Sequence, residues 1–440
     1  MFATRLPWIL IVATIPLSSH AQTTDQALAS VREEISALRN DYEARIAALE
    51  DRLETLLSTG AAPSPPQPRA TAVVPRVAAA NAYNPEIGLI LDAEWREFSR
   101  DGGDQNIPGF PSGGEDGIGT EGLSLGESEL NLYANIDTRF YGGATLAFVD
   151  EAGESAVEIE EAYVETLALP AGLSLKAGRM FSPIGYLNIQ HAHIDDFADR
   201  PLPYRALLNN RYADDGVQLR WLAPTPLFLE VGAQLLRGEG FPVTGAADEG
   251  KGAWTAFAHV GGDVGFSHSW RAGVSRLSGE VELRQSADVA FTGETDVDIV
   301  DFIWKWAPNG NPTVRNFKIQ AEYLRRNERG LVRDENVVGN LDIDQGGWYL
   351  QGVYQFRPQW RIGARYSTLR ADDPGLPFEN SVYDPAGSNP RHTSAMVDWS
   401  SSEFGRLRLQ YNRDSTTADT DNQWLLQYIF SLGAHGAHRF

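Results

Sequence analysis

The middle of the chain holds a group of side chains suited to binding a metal ion: His191, His193, Asp195, Asp196 and Asp199. Imidazole and carboxylate groups together suit zinc or a similar divalent ion. Alternate residues of an extended segment project to the same side, so His191, His193 and Asp195 could converge on one ion. No fourth ligand is evident beside them. The spacing predicts a candidate zinc site, and the alternative is that these groups only hydrogen-bond the segment to a neighbouring wall.

No arrangement typical of an enzyme accompanies this group. The 440 residues contain no cysteine, so neither thiolate chemistry nor a disulfide framework is available. No nucleophile, base and orienting acid occur at a recognisable spacing, and no glycine-rich phosphate loop joins a strand to a helix. The formal net charge of −22 argues against nucleic acid, whose phosphates would be repelled. We therefore predict a non-enzyme with no cofactor other than the zinc ion considered above.

The elements that position these residues are predicted to be membrane-spanning β-strands. From Glu86 to Phe440, about 16 amphipathic segments have roughly the ten-residue length that a tilted strand needs to cross a bilayer. One parity is apolar, as in the final segment from Trp424 to Leu432, and the other is polar. Charged residues on the polar parity would be costly in lipid and suit a wet lumen; among them are Arg220, Arg361, Arg365, Arg406 and Arg408. The pattern predicts an all-β, antiparallel outer-membrane barrel of about 16 strands.

Two further features concern the connections and one irregular strand. Short turns alternate with long loops such as Asn188 to Gly216 and Arg325 to Gln345, which is typical of outer-membrane barrels. Between Val157 and Thr166 the apolar parity changes, which predicts a β-bulge. A soluble β-sandwich would also alternate its connections, but it would not need repeated aromatic residues at strand ends.

The loop from Asn188 to Gly216 is expected to fold into the barrel. It mixes apolar residues with charges of both signs, including Arg200 and Arg205 besides the acidic residues named above. A barrel of about 16 strands leaves an aqueous channel, so an inward loop would form its constriction. We predict passive passage of small polar solutes or ions, with an acidic loop facing a basic wall.

The chain begins with three segments that are not part of the barrel. Residues 1–21 read as a signal peptide, with Arg5 before an apolar run and small residues before the cleavage position. Residues 22–59 show heptad spacing with one stutter, which predicts a periplasmic coiled coil and a homotrimer; a single amphipathic helix lying on the barrel is the alternative. Residues 60–85 form a Pro/Ala-rich linker. The expected partners are outer-membrane lipid and the barrel assembly machinery.

Three stretches of sequence resemble a known family. They read GRMFSPIGYLNIQHAHIDDFADRPLPYRALL, DDGVQLRWLAPTPLFLEVGAQLLRG and FSLGAHGAHRF. They are similar to a group of Gram-negative outer-membrane proteins often labelled zinc-regulated TonB-dependent receptors. The resemblance implies an outer-membrane channel whose expression is connected with zinc.

Two alternative functions stay open beside the porin-like channel. The resemblance implies energy-coupled uptake of zinc or a zinc chelate. TonB-dependent transporters, however, have 22-stranded barrels plugged by a globular domain. This chain has a coiled coil and a spacer in the place of that plug domain. The coiled coil and spacer also suit a structural tether between the outer membrane and the cell wall.

Phe440 ends the lipid-facing parity of the last predicted strand and resembles the signal by which barrels are recognised for insertion. Its deletion should therefore reduce assembly of the barrel in the membrane, measured as the heat-modifiable fraction on gels. Truncation of the neighbouring Arg439, as Arg439→Ala, should have little effect because that side chain has the opposite parity. Equal assembly yields for the two variants would contradict an insertion role for Phe440.

Overall fold

A computed structural model of the protein describes residues 85–100, 106–111, 113, 119–151, 154–245, 252–286, 289–333 and 338–433. The predicted signal peptide, the coiled coil, almost all of the linker and Phe440 lie outside these residues. No helix of the described part is both long enough and apolar enough to cross a membrane.

Seventeen strand segments form one closed antiparallel sheet. They are β1 Glu86–Phe98, β2 Gly122–Leu125, β3 Ser128–Asn135, β4 Phe140–Glu151, β5 Glu154–Thr166, β6 Leu173–Phe181, β7 Ala213–Leu222, β8 Phe228–Leu236, β9 Ala253–Val264, β10 His268–Ser286, β11 Val289–Trp306, β12 Asn316–Arg333, β13 Val338–Arg357, β14 Trp360–Ala371, β15 Arg391–Ser402, β16 Gly405–Ser415 and β17 Asp421–Gly433. Strand β1 pairs with β17 and also with both β2 and β3, which therefore share one position. The sheet is thus a barrel of 16 strand positions, as predicted. Closure pairs the edge strands, which is the condition for a sheet to span lipid.

The helical segments of the described residues are short. They are α1 Leu202–Leu208 and four 3₁₀ turns, at Pro170–Gly172, Ala192–Ile194, Pro308–Gly310 and Leu376–Phe378. Helix α1 begins after Pro201 and ends at Asn209, whose left-handed backbone (φ 50) stops it.

The two faces of the strands follow the predicted parity. In β17, Trp424, Leu426, Tyr428, Phe430 and Leu432 each expose 39–44% of their surface, whereas the intervening Gln427 and Ser431 are buried inside the barrel. An exposed apolar and aromatic outer face is what contact with hydrocarbon requires.

The predicted bulge is present in β5, at Glu160. Strands β4 and β5 pair with Thr145 opposite Glu161 and Leu146 opposite Ile159, so Glu160 has no partner residue on β4. The extra residue reverses the parity of the strand. Val157 and Ile159 face outward, while Glu160 and Glu161 are both shielded from solvent.

The predicted loop from Arg325 to Gln345 is wrong, because this stretch is a long hairpin formed by β12 and β13. Its inward residues Val332, Leu341 and Ile343 are buried against Phe378 and Tyr383, which belong to the connection between β14 and β15. That connection supplies an apolar cover for the hairpin. The charged sequence of the hairpin does not reveal this packing, because the residues that cover the hairpin lie in another loop.

The lumen is not lined by polar residues all the way round. Near the long-loop end, strands β8 to β14 turn apolar side chains inward, and these pack against α1 and against other loops in one buried cluster. The strand residues are Leu236, Ala253, Leu277, Val297, Ile299, Leu324, Tyr349 and Leu369. Apolar side chains therefore fill this end of the lumen on the side of β8 to β14.

Candidate functional site

Residues 182–212 connect β6 to β7 and are called the inward loop below. Asn188 joins its two ends: the side-chain amide donates to the carbonyl oxygens of Ser182 and Tyr212, both at 2.8 Å, and Asn188 Oδ1 accepts from Tyr212 N at 2.8 Å. The last residues of the predicted loop, 213–216, belong instead to β7. The inward loop is thus a closed unit held at its base.

Glu322 of β12 is the main anchor of this loop. Its carboxylate accepts hydrogen bonds from Tyr186 N and Leu187 N, both at 3.0 Å, and from the hydroxyls of Tyr204, at 2.8 Å, and Tyr349. Gly185 permits the approach, because its φ is +74 and a side chain there would collide with the Glu322 carboxylate.

The acidic residues of the inward loop are in direct contact with the basic wall. Asp196 pairs with Lys318 at 2.5 Å and Arg361 at 3.1 Å, and Asp199 pairs with Arg365 at 2.5 Å. Burial raises the pKa of each of these carboxyls, but the neighbouring cations outweigh it and hold each pKa below its usual range. The two charges are therefore paired across short distances, rather than set across open space as the sequence predicts.

Two further wall arginines bind the backbone of the loop. Arg408 donates to the carbonyl oxygen of Asp195 at 2.6 Å, and Arg406 donates to that of His193. Arg220 does not reach the loop; it pairs with Glu165 at 2.8 Å and Glu230 at 3.6 Å. Four of the five arginines predicted to face the lumen thus hold the loop in place.

The two arginines of the loop itself have different contacts. Arg200 donates to the carbonyl oxygens of Leu187 at 2.8 Å and Gln190 at 2.6 Å, which ties two parts of the loop together. Arg205 lies 3.9 Å from a carboxylate oxygen of Asp414 on β16.

Asp195 differs from the other two acids of the loop. One carboxylate oxygen pairs with Arg200 Nε at 2.8 Å, while Oδ1 is buried without a hydrogen-bond partner among the described residues. Only 8% of the residue is exposed, and burial raises the pKa of its carboxyl against the effect of Arg200. One acceptor oxygen of Asp195 is thus enclosed inside the barrel without a hydrogen-bond partner among the described residues.

Two cavities flank the inward loop. The loop-side cavity, about 440 Å³, extends to Asn209 and to the connection after β8 at Glu239. The turn-side cavity, about 610 Å³, extends to the tight turns at Gln359 and Phe404. Of the described residues, Asp195 lines both cavities. Asp195 therefore lies where the two cavities approach each other.

The loop-side cavity is more acidic than basic. Its lining has nine carboxyl side chains and five arginines, namely Asp92, Glu94, Glu127, Glu158, Glu160, Asp195, Asp199, Asp214 and Glu239 with Arg96, Arg179, Arg200, Arg205 and Arg211. The excess of carboxyl groups favours cations over anions in this space.

The predicted convergence of His191, His193 and Asp195 is not observed. Residues Ala192–Ile194 form a 3₁₀ turn rather than an extended segment, which removes the alternation assumed from the sequence. Asp195 pairs with Arg200 instead. His193 Nδ1 lies 2.7 Å from Glu129 Oε1 of β3.

His191 is placed among three glutamates. Its Nδ1 lies 3.3 Å from Glu129 Oε2 and 3.2 Å from Glu160 Oε2, and its Nε2 lies 3.4 Å from Glu161 Oε2. Burial lowers the pKa of His191, but the carboxylates outweigh it and raise that pKa well above its usual value. Sequence reasoning missed the glutamates as partners, and the one available signal was the parity change at the bulge.

Known proteins are similar to this chain in sequence or in fold. No family model matches the chain. An uncharacterized protein of Aquifex aeolicus (strain VF5) is 31% identical over 391 residues, which cover 82% of this chain and 80% of that protein.

Solved outer-membrane proteins have a similar fold. The trimer form of OmpT of Vibrio cholerae aligns over 80% of this chain and 100% of its own, with a TM-score of 0.47 at 11% identity. The outer membrane channel DcaP of Acinetobacter baumannii aligns over 79% and 96%, with a TM-score of 0.48 at 12% identity. OprB of Pseudomonas putida aligns over 80% and 95%, with a TM-score of 0.48 at 12% identity. At these identities the likeness concerns the fold.

Replacing the anchor should loosen the inward loop. Glu322→Ala removes the acceptor of five hydrogen bonds, and leaving one buried donor without its partner costs on the order of 2 kcal/mol. Amide hydrogen exchange at Tyr186 and Leu187 should then be faster by roughly thirtyfold.

Glu294→Ala is the control for this experiment, because Glu294 lies on β11 with its side chain exposed. It should leave exchange in the inward loop unchanged. The anchor role is wrong if Glu322→Ala leaves the exchange of these two amides at the wild-type rate.

Proposed function

We propose that this chain, which belongs to the same family as the uncharacterized protein of Aquifex aeolicus, is an outer-membrane channel for small polar solutes and ions. The observation that supports this most directly is the pair of cavities on either side of the inward loop, with Asp195 lining both. A solute entering from the long-loop end meets the acidic loop-side cavity, passes Asp195 and leaves through the turn-side cavity.

The channel is narrow for a barrel of its size. The apolar cluster around α1 fills the side of strands β8 to β14, and the inward loop crosses toward β12, β14 and β16 through its ion pairs. The remaining polar passage suits ions and small solutes rather than large molecules.

A preference for cations follows from the arrangement of charge. Asp196 and Asp199 are neutralised by Lys318, Arg361 and Arg365, so they have little effect on a passing ion. Asp195 keeps a buried oxygen without a protein partner, and a fixed charge acts strongly where little water screens it. Asp195 accordingly contributes to the ion preference together with the other carboxyl groups that line the loop-side cavity.

The remaining parts of the proposal rest on the sequence. Residues 22–59 form a periplasmic coiled coil that supports a homotrimer, and residues 60–85 link it to the barrel. Passive passage is favoured over energy-coupled uptake, because the described lumen is occupied by the barrel's own loops, held by their own ion pairs. A connection between zinc and the expression of this protein is a separate proposal, which rests on the family resemblance.

Neutralising Asp195 should reduce the preference for cations. In planar bilayers with a KCl gradient, Asp195→Asn should shift the reversal potential toward the anion side and lower the cation-to-anion permeability ratio roughly two- to tenfold. A unit charge about 5 Å from an ion contributes on the order of 1 kcal/mol when water screens it in part.

The matched control is Asp342→Asn, since the side chain of Asp342 in the β12–β13 hairpin is 72% exposed. It should leave the reversal potential unchanged. A barrel that inserts but conducts no ions would exclude the channel, whereas a conducting barrel indifferent to Asp195→Asn would exclude only the role of this residue.

A further inference from the structure

We propose that Glu129, Glu160 and His191 bind a divalent transition-metal ion on the inner wall of the barrel. This goes beyond the channel function and uses a different set of ligands from the His191, His193 and Asp195 set predicted from the sequence. Of the described residues, these three form the group whose ligand atoms all lie within 4.8 Å of one another.

The two distances from His191 to the carboxylate oxygens fit a tetrahedral ion. His191 Nδ1 lies 3.3 Å from Glu129 Oε2 and 3.2 Å from Glu160 Oε2. Zinc bonds to nitrogen and carboxylate oxygen are about 2.0–2.1 Å long, so two ligands at a tetrahedral angle stand about 3.3 Å apart. The ion displaces the Nδ1 proton of His191 and takes its place between the three atoms.

The bulge in β5 explains why the ligands meet. A regular strand would send Glu160 and Glu161 to opposite faces, but the extra residue turns both toward the lumen. Glu160 then lies at Nδ1 of His191 and Glu161 at Nε2 of the same ring. Bulges that redirect a side chain occur preferentially beside functional sites.

In each ligand residue, the polar atom that does not face the ion contacts a neighbouring side chain. Glu129 Oε1 contacts His193 Nδ1 at 2.7 Å, and Glu160 Oε1 pairs with Arg211. His191 Nε2 faces Glu161 Oε2 at 3.4 Å. Each ligand thus keeps one atom for the ion while its other polar atom is oriented by a neighbour, which is the usual arrangement around protein metal sites.

Glu161 is in turn fixed by a cation. Its Oε1 lies 3.2 Å from Lys176 Nζ on β6. Glu161 therefore acts as an orienting group for the imidazole rather than as a ligand.

The ligand types and the position indicate the kind of ion. One imidazole nitrogen and two carboxylate oxygens suit zinc and similar ions, whereas calcium and magnesium prefer all-oxygen sites with more ligands. Glu160 and Ala192 line the loop-side cavity, so an ion can enter from that cavity and water can supply the fourth ligand.

A bound ion would tie the inward loop to β3 and β5. The loop is already paired on its other side with β12 and β14 through Asp196 and Asp199. The ion therefore fixes the loop at both sides of the polar passage, and we expect it to lower the conductance.

The test is calorimetric titration of the purified full-length protein with ZnCl₂, with MgCl₂ as comparison. We expect one zinc ion per chain and no comparable magnesium binding. His191→Ala and Glu160→Gln should each weaken zinc binding by at least about tenfold. His193→Ala should have a smaller effect, since here it orients Glu129 and is not a ligand.

His268→Ala is the matched control, because His268 lies at the start of β10 and stacks against Trp304. It should bind zinc like the wild type. Barrel assembly of every variant is checked by heat-modifiable migration on gels, and X-ray absorption of the zinc-loaded wild type should show one imidazole and only nitrogen and oxygen ligands.

The absence of stoichiometric zinc binding, or unchanged affinity in His191→Ala, would overturn the site and leave His191 as an ion-pair partner of the glutamates. Conductance of the metal-free wild type is measured separately. Loss of the metal site and loss of the channel are therefore distinguishable.

Discussion

The arrangement of the lumen depends on one constraint: the polar backbone of the inward loop must find hydrogen-bond partners inside the barrel. Side chains of the wall supply them. Glu322 accepts from Tyr186 N and Leu187 N, Arg408 donates to the carbonyl of Asp195, and Gln410 accepts from Ala198 N at 2.8 Å. Because these strand residues have fixed positions, the path of the loop is fixed as well, and the two cavities are the space that it leaves.

The same contacts determine which charges remain effective. The loop brings three aspartates into the barrel, and the wall pairs two of them with Lys318, Arg361 and Arg365. Asp195 instead pairs with Arg200 of its own loop, and its Oδ1 has no hydrogen-bond partner among the described residues. The acidic loop and the basic wall are therefore joined by direct ion pairs, and Asp195 is the acid of the loop that the wall leaves unpaired.

On the opposite wall, the β-bulge in β5 likewise determines which charged groups meet the inward loop. One extra residue in β5 turns two consecutive glutamates inward, and the 3₁₀ turn of the inward loop brings His191 between them. Neither feature forms the group of Glu129, Glu160 and His191 alone. The bulge supplies Glu160, strand β3 supplies Glu129, and the inward loop supplies the imidazole nitrogen.

The sequence by itself determined the faces of the strands, the bulge and the approximate strand number, because a period of two is a local property of each segment, as in β17 and at residues 157–166. It also identified Asp195 and the wall arginines. Only the tertiary structure decided that residues 325–345 form a hairpin, that one side of the lumen is apolar and that His191 meets Glu160, 31 residues away, while His193 meets Glu129, 64 residues away. These outcomes depend on which loop covers which strand. Such contacts join residues far apart in the sequence through packing and charge, so the local spacing of residues does not predict them.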